Sequence, residues 1–145
     1  MKPVETWILL ANATFARVVA NRGPGKGIVA MGGKTWRADP PVDYSDEAGH
    51  ARMNTTYSQA SLTSKDPKEL AEHIFATQLA EKMIEFRRKG AYDRLIVVAS
   101  PHMLGSLRET LPDAVTDTVA AEVAKDLTHA TLEELPKLLS NVIAA

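Results

Sequence analysis

Two short apolar runs limit the folds open to this sequence: Trp7-Ile8-Leu9-Leu10-Ala11, and Leu95-Ile96-Val97-Val98-Ala99 after Arg94. Each is too short for a stable helix, and neither alternates with polar residues as a half-exposed strand would. Runs of this kind are central strands with both faces covered, which requires helices on a mixed or parallel sheet.

The segments around them extend the pattern. Asn12-Ala13-Thr14 offers a turn, and Phe15 to Ala20 reads as a second strand carrying Val18 and Val19 and interrupted by Arg17. Arg22-Gly23-Pro24-Gly25-Lys26-Gly27 is a stronger turn signal. Ile28 to Met31 and Lys34 to Arg37 flank Gly32-Gly33, a third strand with a bulge or kink. Residues 38–65 are polar, contain Pro40-Pro41 and hold neither strand nor helix period. A loop of that length is usually functional or disordered.

Asp66-Pro67-Lys68-Glu69 has the spacing of a capping box, with proline at the first helical position. Leu70, Ile74, Phe75, Leu79, Met83 and Phe86 then form a stripe, and Arg87-Arg88-Lys89-Gly90 closes the helix with positive charge and a terminal glycine. After the strand Arg94 to Ala99, Ser100-Pro101 leads into a helix from His102 to Leu111, which makes a βα unit. Val115 and Val119 to Val123 allow a helical turn and another strand. Thr131-Leu132-Glu133-Glu134 starts a closing helix with Leu135, Leu138, Leu139, Val142 and Ile143 inward and Pro136 in its early turns. Right-handed crossovers put the two later strands beside the first. The expected fold is α/β, a ribonuclease H-like mixed five-stranded sheet of order 3-2-1-4-5, in one domain spanning 1–145 with the long polar loop at 38–65.

A length of 145 residues, 45% hydrophobic and 24% charged, fits one globular core. No run is long enough to span a bilayer, so no membrane partner is expected. Met1-Lys2-Pro3-Val4-Glu5 does not resemble a secretory signal, and the absence of cysteine fits a reducing compartment; both point to the cytoplasm. The net charge of −1 is unevenly spread. Residues 1–37 hold Lys2, Arg17, Arg22, Lys26, Lys34 and Arg37 against Glu5, whereas 109–145 are acidic. Such asymmetry marks an anion-binding face or a set of solvated strand edges.

Candidate chemistry is sparse. A two-metal nuclease needs carboxylates at the ends of its central strands. Trp7 to Ala11 and Arg94 to Ala99 contain none, and Asp93 lies at the wrong end, so no metal or other cofactor is expected. His50, His73, His102 and His129 show no metal-ligand spacing. Ser100-Pro101-His102 sits between strand and helix without the glycines of a nucleophile elbow; it offers helix-start N–H groups that cap the helix or bind an anion, with Ser100, His102 and Arg108 as the candidate set. Gly23 to Gly27 lacks the context of a phosphate loop and reads as a hairpin turn whose Arg22 and Lys26 can touch an RNA backbone. Tyr44, His50, Arg52, Asn54, Thr55 and Tyr57 give the long loop the composition of a nucleic-acid contact or of an ordinary loop.

Together, Thr6-Trp7-Ile8-Leu9-Leu10-Ala11-Asn12, Ala16-Arg17-Val18, Gly23-Pro24-Gly25-Lys26-Gly27, Tyr92-Asp93-Arg94-Leu95, Val97 to Pro101, Leu104 to Arg108 and Lys125-Asp126-Leu127-Thr128-His129 resemble the bacterial host-attachment protein family. That family is similar in turn to the central domain of archaeal and eukaryotic release factors and Pelota. The resemblance implies a non-catalytic association with ribosomes or structured RNA, with Arg17, Arg22, Lys26, Lys34, Arg37, His50 and Arg52 as the candidate contacts. The release-factor Gly-Gly-Gln is missing from residues 38–65, and Gly32-Gly33 is followed by Lys34, so hydrolysis of peptidyl-tRNA is not carried over. The alternatives are a role in attachment to host cells, indirect or as an adhesion factor acting on a protein partner, and a small hydrolase using Ser100 or the long loop.

Overall fold

The structure, a computed structural model, describes residues 3–41 and 66–145. Its strands are β1 (Thr6–Ala11), β2 (Phe15–Asn21), β3 (Val29–Arg37), β4 (Arg94–Ala99) and β5 (Val119–Ala124). Its helices are α1 (Pro67–Arg88), α2 (Pro101–Thr110), α3 (Asp113–Thr116) and α4 (Leu135–Leu138). The sheet runs β3-β2-β1-β4-β5, antiparallel across β1, β2 and β3 and parallel across β1, β4 and β5. This is the expected α/β mixed sheet, with the two apolar runs side by side at its centre. The long loop lies mostly outside the described residues, as do its Tyr44, His50, Arg52, Asn54, Thr55 and Tyr57.

The period-2 alternation of β1 sends its side chains into two cores. Trp7, Leu9 and Ala11 join Leu95, Val97, Phe75, Leu79, Met83 and Leu107 beneath α1 and α2. Ile8 and Leu10 join Ile96, Val98, Leu135, Leu139 and Ile143 under the C-terminal segment. Unbroken apolar sequence was needed because the sheet is covered on both sides.

Local chemistry sets the ends of α1. The Asp66 carboxylate accepts from the Glu69 N–H at 2.8 Å, Pro67 takes the first turn, and Gly90 leaves the helix at φ +69°, where a Cβ would be strained. Its inward face differs from the expected stripe. Glu72, Phe75, Ala76, Leu79, Ala80 and Met83 are buried, Leu70 and Phe86 are half-buried, and Ile74 is 43% exposed. Alanines at 76 and 80 turn inward, where small side chains let a neighbouring helix approach closely.

The third strand kinks as expected. The β2–β3 register shifts between Arg17 and Val19, and Gly33 takes φ +77°. The glycine hairpin also anchors the end of the chain, since the Gly25 and Gly27 N–H groups donate to the carbonyls of Ala144 and Ala145 at 3.4 and 2.8 Å.

The closing helix is shorter than its apolar pattern implies. The capping box forms, with the Thr131 N–H to Glu134 Oε1 at 2.8 Å and the Glu134 N–H to Thr131 Oγ1 at 3.1 Å. Beyond Leu138, Ser140 and Val142 donate three residues back, to Lys137 and Leu139, so the chain continues as turns. Pro136 supplies no N–H, and Ser140-Asn141 favour turns over helix interior. Leu135, Leu139 and Ile143 still face the sheet, whereas Leu138 is 46% exposed.

Candidate functional site

Three separated stretches meet at the C-terminal end of β1: Asn12, the start of β2, and 125–130 after β5. The Asn12 side-chain Oδ1 accepts from the N–H groups of Thr14 and Phe15 at 2.9 and 2.8 Å and from the Thr14 hydroxyl at 3.2 Å. This folds the β1–β2 turn around one side chain. The Asn12 amide then donates across the fold to Asp126 Oδ2 at 2.9 Å and Thr128 Oγ1 at 3.1 Å.

Asp126 is itself the head of a tight turn. Its Oδ1 accepts from the Thr128 N–H at 3.0 Å and the Thr128 hydroxyl at 2.6 Å. Burial alone would raise its pKa, but the Thr128 hydroxyl, the Asn12 amide, the Thr128 N–H and the charge of His129 outweigh it and hold the carboxyl below its ordinary value. Arg17, projecting from β2, donates through Nε to the Thr128 carbonyl at 2.9 Å and through Nη2 to that of Ala130. Partial burial lowers its pKa, yet a guanidinium remains charged throughout the protein range.

Beside this latch, the His129 ring stacks on Phe15 with centroids 6.0 Å apart, and the Arg37 guanidinium lies 4.9 Å over the Phe15 ring. Chemically, the latch fixes one chain segment against another. Its carboxylate and amide are occupied by partners, and what it shows to solvent is the Arg37, Phe15 and His129 stack with Lys125 nearby in sequence.

The expected RNA contacts do not form one patch. Arg17 is committed to the latch. At the opposite end of β1, Arg22 pairs with Glu5 at 3.0 Å, and Lys26 is exposed in the glycine hairpin. On the helix side, Lys34 lies 5.7 Å from the Trp7 ring centre and 5.2 Å from that of Phe86. Arg37 belongs to the Phe15 stack on the other face. His50 and Arg52 are outside the described residues.

The candidate anion set likewise separates. Ser100 starts α2 through its backbone, accepting from the Leu104 N–H at 2.8 Å, and makes no side-chain cap bond. His102 turns to α1, where its Nδ1 meets Oε1 of the buried Glu72. Arg108 turns to β5 and holds Glu122 at 2.7 Å. A shallow cleft of about 290 Å³ between α1 and α2 is lined by Glu69, His73, His102, Ser106 and Glu109. Its carboxylates repel an anion. Among the described residues, no group of three or more histidine, aspartate or glutamate side chains is arranged to hold a metal, and no helix is long and apolar enough to cross a membrane.

The long-range polar contacts of Asn12 with Asp126 and of Glu72 with His102 were not legible in the sequence. The Asp126-Leu127-Thr128 turn has a local signal, a short acid followed two residues on by a hydroxyl and N–H donor. No local signal joins Asn12 to it, or Glu72 to His102. A family model described as "protein required for attachment to host cells" matches residues 7–139, a span that contains the whole latch. No curated protein matches the chain.

Proposed function

We propose, for a chain that belongs to the family of proteins required for attachment to host cells, that it supports bacterial attachment as a binding domain without chemistry of its own. The family match over residues 7–139 carries this reading. The latch agrees with it, because its polar groups are used in holding the chain together.

A strain lacking the protein is expected to attach to cultured host cells in several-fold lower numbers and to recover with the wild-type chain. Supplying the chain in a cytoplasm-retained form and in an exported form separates an indirect role from direct adhesion. Unchanged attachment in the deletion strain overturns the proposal.

A second reading, association with structured RNA or ribosomes, draws support from the resemblance to release factors and from the Arg37, Phe15 and His129 stack. A cation beside stacked rings is suited to bases and phosphates. Lys26, exposed in the hairpin at the opposite end of β1, would be a separate phosphate contact. Such binding weakens steeply with salt and loses slope when Arg37 and Lys26 are changed to alanine; binding of neither RNA nor ribosomes at low salt removes this reading.

A further inference from the structure

The two edges of the sheet differ. The β3 edge is bent by a register shift, carries Gly33 at φ +77° and bears Lys34 and Arg37. These features protect an edge from pairing with another strand. The β5 edge, Val-Ala-Ala-Glu-Val-Ala, shifts register once near its start, at Ala120, and then runs regularly from Ala121 to Ala124; it has no glycine, proline or lysine, and its one charge, Glu122, is neutralised by Arg108 at 2.7 Å.

Its outward groups follow from the register. The Ser100 N–H reaches back to Ala11, whereas the Leu95 N–H reaches Thr118, so odd-numbered residues of β4 turn their backbone groups toward β5. Val97 is paired with Glu122 and Ala99 with Ala124. In a parallel ladder such residues bond to the neighbours on either side of their partner. The N–H and C=O groups of Glu122 and Ala124 therefore face outward, and among the described residues none of the loop, turn or side-chain hydrogen bonds reaches them.

We infer that this edge pairs antiparallel with β5 of a second copy of the chain, independently of the attachment reading. A two-fold axis normal to the sheet keeps each side chain on its own face, so residues meet in registers centred on a single position. Centring on Glu122 would set two carboxylates opposite each other. Centring on Val123 instead places each Glu122 opposite Ala124 of the second copy, within the regular part of the strand. The two Arg108–Glu122 pairs then lie close together on one face with alternating sign, a self-complementary arrangement. Few inter-chain bonds form, so the dimer dissociates on dilution.

Sedimentation equilibrium of the full chain is expected to show a monomer–dimer equilibrium in the micromolar range. Ala124→Pro removes one outward N–H and leaves the β4 ladder donors in place, so it should convert the protein to monomer while its circular dichroism and melting curve stay close to wild type. Amide exchange at Glu122 and Ala124 in the wild type should slow as concentration rises, a readout that holds even if the proline variant folds poorly. A monomer up to about 1 mM, a dimer that Ala124→Pro leaves intact, or exchange at these amides independent of concentration overturns the inference.

Discussion

Asn12 has the most connected side chain of the latch, with three acceptor contacts to the β1–β2 turn and two donor contacts to residues more than a hundred positions away. Replacing it with alanine strands the Thr14 and Phe15 N–H groups and removes two donors from Asp126 and Thr128. The expected loss is about 1–3 kcal/mol, the cost of leaving polar groups unsatisfied, read as a lower urea midpoint at unchanged slope. Asp126 adds a pH signature. Its carboxyl is held below the ordinary value despite partial burial, so its contribution is complete above the unfolded carboxylate pKa of about 4 and disappears as pH falls through the lower folded value. Asp126→Asn should flatten the acid side of the stability profile in that window and change little at neutral pH beyond a constant offset. A profile still parallel to wild type below pH about 4 would assign the acid sensitivity to other carboxylates.

At the scale of elements, the strands and α1 were legible because their signals are local: unbroken apolar runs, a glycine pair at the bulge, a cap with proline after it. Helix faces were less so. The stripe through Ile74 counted apolar residues, whereas the face that packs includes Glu72 and two alanines and leaves Ile74 exposed. Nothing near Glu72 in sequence announces that His102, thirty residues on, will meet it. The capping box at Thr131 was readable, but the length of the helix after it was not, because leucine spacing persists through turns that Pro136 and Ser140-Asn141 impose. The Glu72–His102 contact makes a prediction about the α1–α2 pair. His102→Ala leaves the carboxylate between helices without that imidazole and should destabilise by about 1–3 kcal/mol, while Glu72→Gln, which removes the charge with its partner still present, should cost less. Equal costs in urea titrations of the two variants would show that the contact contributes packing and little electrostatics.

Across the molecule, the sheet is held by unequal layers. On one side α1 spans twenty-two residues, with α2 beside it; on the other, a short turn of helix and irregular chain cover Ile8, Leu10, Ile96 and Val98 with Leu135, Leu139 and Ile143. That second layer is a run of short three- and four-residue turns without a long helix, so its attachment depends on contacts to the sheet side. These are the Arg17 bonds to Thr128 and Ala130, the Asn12 bonds to Asp126 and Thr128, and the Gly25 and Gly27 bonds to Ala144 and Ala145. Stability need not be uniform in such an arrangement, and the layer with the fewest internal bonds opens at the lowest free energy. Leu139 sits between Leu135 and Ile143 in the sequence and is 1% exposed, so Leu139→Ala should cost about 2–5 kcal/mol, whereas Leu138→Ala, at 46% exposure, should stay within about 0.5 kcal/mol. Native-state hydrogen exchange locates the effect: in Leu139→Ala the amides of Val142, Ile143 and Gly27 should lose protection together, while those of β1 and β4 keep theirs until global unfolding. Simultaneous loss of protection in β1 would mean that the thin layer and the central strands open as one unit, and the layer would then be an integral part of the core.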